Sequence, residues 1–146
     1  MNERMAYLYP GELMVSQEPC TVSTVVGSCV AIFLWDARLK IGGMNHYLLP
    51  HGEPSPRYGT TAVRALIDRL VSLGSAPEHL VAKVFGGAHV LGHAPAGNHL
   101  GKQNSDLAFS LLQEMRIRVL ANDVGGTRGR RVVCHTGDGS AWVKEL

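Results

Sequence analysis

The chain has 146 residues and a mass of 15.7 kDa, room for one ordinary domain, expected to span 1–146. An apolar share of 45% with 18% charged residues excludes disorder, collagen and coiled coil. A formal net charge of +2 is too weak a field to indicate a nucleic-acid partner or insertion into a membrane.

The first residues, Met1–Pro10, carry Glu3 and Arg4 and lack an apolar centre, so they do not read as a signal peptide. Three cysteines (Cys20, Cys29 and Cys134) without CxxC spacing argue against a disulfide framework or a four-thiolate zinc site. Both readings point to a cytoplasmic protein. Glu12–Ser16 and Val22–Val26 are short β-prone stretches, Val30–Trp35 is an apolar strand, and Ile41–Leu49 is another that opens on Gly42–Gly43. The longest apolar run, Cys29–Trp35, is far shorter than the ~20 residues that cross a bilayer.

Three prolines between Pro50 and Pro56 predict a loop. Beyond it the period changes to that of a helix: Ala62, Val63, Leu66, Ile67, Leu70, Val71 and Leu73 recur at three- and four-residue spacing, and Gly74 ends the run. Leu80–Phe85 reads as a buried strand entering Gly86–Gly87. Leu107, Leu111, Leu112 and Met115 mark a second helix that starts near 104–106. Ile117–Leu120 and Arg131–His135 are strands, and Gly137–Asp138–Gly139 turns the chain into Ala141–Val143. The order predicts an α+β fold, a mixed α/β sandwich of β-sheet layers with two main helices packed on them.

If Val30–Trp35 and Ile41–Leu49 form an antiparallel hairpin with its turn centred on Ala37 or Arg38, His46 lies opposite Cys29 or Val30. In the first register a thiol and an imidazole share one face as a cross-strand pair; a slip of one residue separates them. Such a pair makes a nucleophile, because imidazole relieves the thiol of its proton. The alternative is packing alone, since cysteine is among the most buried residue types. Gly27–Ser28, just before Cys29, favours a tight turn with backbone N–H groups left for an oxyanion, and Gly42–Gly43 lets another backbone approach near His46.

These residues carry a resemblance. Val26–Gly27–Ser28–Cys29–Val30–Ala31 resembles the LGSCVA signature of the CheD family, chemoreceptor glutamine deamidases of bacterial and archaeal chemotaxis. Gly42–Gly43–Met44–Asn45–His46–Tyr47–Leu48–Leu49–Pro50 is similar to that family's GGMNHFMLP segment. Arg57–Tyr58–Gly59, Ala82–Ala88 and Gly125–Arg130 resemble further family stretches in the same order, so the likeness runs from about Gly11 to Val143. The resemblance implies a cysteine, a histidine and a threonine as catalytic residues. Cys29 and His46 match two of them. The third position, six residues before the cysteine, is occupied here by Ser23, with Thr24 as the neighbouring hydroxyl on the other side of the strand. Gly27, Ser28, Asn45, Gly86 and Gly87 are expected as oxyanion or site-shaping residues around this pair. The resemblance implies no cofactor or metal, the cytoplasmic part of a chemoreceptor as substrate, and a CheC-like phosphatase as a further partner.

Other signals are weaker. His89, His93 and His99 invite a metal site, but Gly92, Pro95 and Gly97 make a poor helix and no HExxH pattern is present, so a polar surface loop is expected. Arg128, Arg130 and Arg131 form a basic cluster without interleaved aromatics, read as a solvated turn or a contact to acidic receptor residues rather than an RNA site. Cys20 and Cys134 are expected to be structural, and Trp35 and Trp142 core or edge packing. Against the deamidase stand two other readings: a non-enzymatic adaptor that binds receptors or a CheC-like phosphatase, favoured by the serine at 23, and a thiol hydrolase of small amides or esters.

Overall fold

A computed structural model describes residues 4–90 and 99–146. Among the described residues, nine strands and two helices follow in the order β1 (Arg4–Tyr7), β2 (Leu13–Ser16), β3 (Cys20–Val26), β4 (Val30–Asp36), β5 (Ile41–Tyr47), α1 (Gly59–Ser72), β6 (Leu80–Gly86), α2 (Leu100–Glu114), β7 (Arg118–Val124), β8 (Arg130–His135) and β9 (Ala141–Glu145). The strands make two sheets, one ordered β1-β3-β8-β9 and the other β2-β5-β4-β6-β7. Each sheet is mixed: β1 runs parallel to β3 and β7 parallel to β6, while the remaining pairs are antiparallel. The expected α+β sandwich is present, with three layers.

Strand alternation assigns the layers. Val30, Ile32 and Leu34 of β4 face α1 and α2, where Ala62, Val63, Leu66, Ile67, Leu70, Ala108, Leu111 and Leu112 cover them. Ala31 and Phe33, one residue out of step, meet Val22 and Val26 of β3 and Val132 and Cys134 of β8 across the gap between the sheets. β4 is therefore apolar on both faces, the reason for its unbroken run from Val30 to Leu34. Among the described residues no helix is long and apolar enough to cross a membrane.

The β4–β5 hairpin departs from its expected register. Asp36 pairs with Ile41, Val30 with Tyr47 and Ala31 with His46. The turn is longer than expected because Asp36 organises it: its Oδ1 accepts from the N–H groups of Arg38 (2.8 Å) and Leu39 (3.1 Å), and its carbonyl accepts from Lys40 at 2.8 Å. Lys40 adopts φ 56°, closing a turn over Ala37–Lys40. His46 is thus opposite neither Cys29 nor Val30. Further differences are β1, which the sequence reading leaves unassigned, a short 3-10 helix at Pro77–His79, a start of α2 at Leu100, and a β7 that extends to Val124.

Candidate active site

His46 is almost fully buried between the sheets, on the same face of β5 as Met44. Its Nδ1 lies 2.7 Å from Oγ1 of Thr24, which reaches across from β3 of the opposite sheet. The hydroxyl of Thr24 has one proton and donates it to the carbonyl of Leu8 at 2.8 Å. Towards His46 it accordingly acts as acceptor, so Nδ1 carries the imidazole proton and Nε2 carries the lone pair. Nε2 is buried without a hydrogen-bond partner among the described residues. Burial pushes the His46 pKa down to about 4, so the ring is neutral at neutral pH. The result is a neutral ring oriented by Thr24, with the lone pair of Nε2 unpaired among the described residues.

Ser23 does not take that place. It pairs with Val133 of β8 and Tyr7 of β1, on the outer face of the four-stranded sheet, while Val22, Thr24 and Val26 point inward. The side-chain period of two puts the neighbouring threonine, rather than the serine, against the imidazole. This overturns Ser23 as the residue that orients His46.

Cys29 immediately precedes β4 and is half-buried at the margin of the inter-sheet core. Ala31 stands opposite His46, so Cys29, two residues earlier on the same face, is its diagonal neighbour. Diagonal pairs have Cβ atoms about 7 Å apart, within the combined reach of a thiol and an imidazole. Burial raises the Cys29 pKa above the ordinary thiol value, opposed by a hydrogen bond from its own backbone. At rest the pair is thus a neutral thiol and a neutral imidazole.

The loop at 27–29 is held by β6 and the residues after it. Gly87 donates its N–H to the carbonyl of Cys29 (2.8 Å), and Ala88 to that of Gly27 (2.9 Å). Gly86 has φ 110°, and a Cβ there would lie 2.2 Å from the Cys29 oxygen; Gly87 has φ 66°, and its Cβ would meet the carbonyl of Gly101 at 2.7 Å. A side chain at Gly86 would displace the 27–29 loop, and one at Gly87 would push away the first turns of α2. Asn45 belongs to the other face of β5. Its Oδ1 accepts from Ile32 N–H (2.9 Å) and its Nδ2 donates to the Ala62 carbonyl (3.1 Å), so it ties sheet to α1 rather than lining the site.

A family model described as CheD chemotactic sensory transduction matches residues 49–145. A probable chemoreceptor glutamine deamidase CheD 1 of Anaeromyxobacter dehalogenans is 49% identical over 96% of this chain and 84% of its own length. The chain belongs to the CheD family. Proteins named probable chemoreceptor glutamine deamidase CheD from Trichlorobacter lovleyi (44% identity, 91% of this chain, 85% of the relative) and Sulfurimonas denitrificans (39%, 99% and 96%) are further relatives. The family-model match begins after Cys29 and His46, whereas these pairwise likenesses extend over nearly the whole chain.

The sequence leaves Ser23 and Thr24 as alternatives beside His46, and it is Thr24 that faces the ring. One residue beside Cys29 is missed by sequence reasoning. Asn104, taken only as a helix start, is fully buried and donates from Nδ2 to the carbonyls of Ser28 (2.9 Å) and Leu48 (2.8 Å). Its signal was present: Asn104 precedes Ala108 and Leu111 at helical spacing, a polar residue on the apolar face of α2.

The remaining candidates fall elsewhere. Arg130 is buried, not part of a solvated basic turn. It pairs with Asp123 Oδ1 at 2.9 Å and donates to the carbonyls of Asp123, Gly125 and Arg128, whereas Arg128 and Arg131 are exposed. His89 and His99 have ring centroids 4.4 Å apart; His93 lies outside the described residues. Burial pushes the Cys134 thiol up to about 12, the expected state of an inert core cysteine. A cavity of about 270 Å³ lined by Phe33, Trp35, Lys83 and Gly139 lies towards the hairpin end of β4, away from Cys29.

Proposed function

We propose that this chain is a cytoplasmic, single-domain chemoreceptor glutamine deamidase in which Cys29 is the nucleophile, His46 the general acid and base, and Thr24 the residue that orients His46. The observation that carries this reading is a buried histidine whose Nδ1 is held by Thr24 while Nε2 has no hydrogen-bond partner among the described residues, on the sheet face that Cys29 shares. The named function of the relatives supplies the substrate class.

As the sulfur of Cys29 attacks the Cδ carbonyl of a receptor glutamine, Nε2 of His46 takes the thiol proton. The neutral resting pair makes this a concerted general-base step rather than attack by a preformed thiolate. The oxyanion is stabilised by backbone N–H groups of the 27–29 loop, foremost that of Cys29. Collapse of the intermediate breaks the C–N bond, and the imidazolium returns its proton to the departing ammonia. A glutamyl thioester remains; Nε2 then activates a water that hydrolyses it to glutamate and restores the thiol. A glutamyl methyl ester enters the same path with methanol as leaving group. The scheme assigns no step to a metal or cofactor.

The partner of this reaction is the cytoplasmic part of a chemoreceptor, and a CheC-like phosphatase is a second partner that family resemblance implies. The adaptor reading rested on serine at 23; a threonine at the imidazole supports catalysis instead. Incubation with a receptor cytoplasmic fragment, followed by peptide mass spectrometry, tests the proposal: specific glutamines become glutamates with the native protein and remain amides with Cys29→Ala. Binding without conversion by the native protein would overturn it in favour of the adaptor.

A further inference from the structure

The peptide unit before Cys29 is held in a way the reaction scheme leaves unused. Asn104 Nδ2 has two protons, one given to the Ser28 carbonyl and one to the Leu48 carbonyl. The opposite amide orientation would set Oδ1 against two carbonyl oxygens, so the assignment is forced by chemistry. The backbone carbonyl of Asn104 accepts from the hydroxyl of Tyr47 at 2.6 Å, fixing this turn of α2 to the residue that follows His46. Oδ1 is buried with no hydrogen-bond partner among the described residues. An unpaired buried acceptor is a desolvation cost, so the two donors of Asn104 are where its value lies.

Both donors act on the catalytic centre through backbone. In a trans peptide the C=O and the following N–H point in opposite directions. Drawing the Ser28 carbonyl towards α2 therefore turns the Cys29 N–H away from α2. The next peptide unit is fixed as well, because the Cys29 carbonyl accepts from Gly87 N–H at 2.8 Å. The second Asn104 donor, on Leu48, sets the spacing between the nucleophile loop and the strand that carries His46.

We propose that Asn104 is a positioning residue of the deamidase, aiming the Cys29 backbone N–H at the oxyanion by holding the Ser28 carbonyl. The proposal rests on the thiol reading above and adds to it a residue that touches neither substrate nor sulfur. A transition state with charge on oxygen needs the aimed N–H; simple alkylation of the thiol, which develops no oxyanion, does not. The two reactions of one sulfur thus separate a positioning role from a merely structural one.

The test compares native protein with Asn104→Leu, which keeps the volume and removes both donors, and Asn104→Ser, which restores one small donor. Three quantities are read: kcat and KM for deamidation of a receptor fragment, the rate of Cys29 alkylation by iodoacetamide, and folding by circular dichroism. For folded Asn104→Leu, kcat falls about ten- to a hundredfold while KM and the alkylation rate stay within about threefold, with Asn104→Ser intermediate. Unchanged kcat, or kcat and alkylation falling in parallel, overturns the proposal. So does failure of both variants to fold, which would make Asn104 a residue of the fold alone. Activity surviving in Cys29→Ala would instead defeat the thiol reading on which this one stands.

Discussion

The two ends of β4 both bury polar side chains, and they treat them differently. At the hairpin end Asp36 is inaccessible, yet its oxygens are all engaged: Oδ2 accepts from Ser75 Oγ at 2.6 Å, and Oδ1 from the N–H groups of Arg38 and Leu39. Burial alone would raise its pKa, but these donors, with the Arg38 charge, outweigh it and hold the carboxyl below the usual carboxylate range. At the other end, around Cys29, His46 Nε2 and Asn104 Oδ1 are buried without a hydrogen-bond partner among the described residues. The carboxylate of the hairpin end is closed off by its neighbours, whereas the Cys29 end keeps polar atoms open beside a thiol.

The sharpest way to break that contrast is Cys29→Ala. It is expected to reduce deamidation by at least about a thousandfold with the thermal midpoint little changed, measured by peptide mass spectrometry and calorimetry. Next comes Thr24→Val, which removes the acceptor that keeps the proton on Nδ1. Here kcat is expected to fall about a hundredfold, and Thr24→Ser to recover most of it, since the tautomer depends on the hydroxyl.

The hairpin end should respond in stability instead. Asp36→Ala leaves Ser75 and two turn N–H groups without their acceptor and is expected to cost about 2–4 kcal/mol in urea unfolding, with kcat unchanged where the protein is folded. Acid should distinguish the ends too. The His46 pKa is lowered from 6.5 to about 4 on folding, so between those values the unfolded chain binds the extra proton. Stability is therefore lost as pH falls through this window, by about 3 kcal/mol at most, and the slope should flatten in His46→Gln. Asp36 acts lower, its contribution being present above the ordinary carboxylate pKa and lost as pH falls through its depressed value. The smallest effect is expected for Ser23→Ala, whose turnover should stay within about twofold, as its side chain lies on the outer face.

Several features were legible without coordinates because they are local. The helical period of Ala62–Leu73, the strand run from Val30 and the glycines beside Cys29 each follow from neighbours in the chain. The choice between Ser23 and Thr24 was not legible, since alternation says only that the two residues face opposite ways. Which way is inward depends on how the four-stranded sheet, completed by β8 and β9 from the far end of the sequence, packs on the five-stranded sheet that carries His46.

From the residues alone came the α+β class, the family resemblance, and Cys29 and His46 as a candidate pair. Tertiary structure alone decided the hairpin register through the Asp36 turn, the inward threonine on His46, and the reach of Asn104 to the peptide bond before Cys29. Each of these is a contact between segments distant in sequence or a turn set by one carboxylate, and no pattern of neighbouring residues encodes the geometry in which such groups meet.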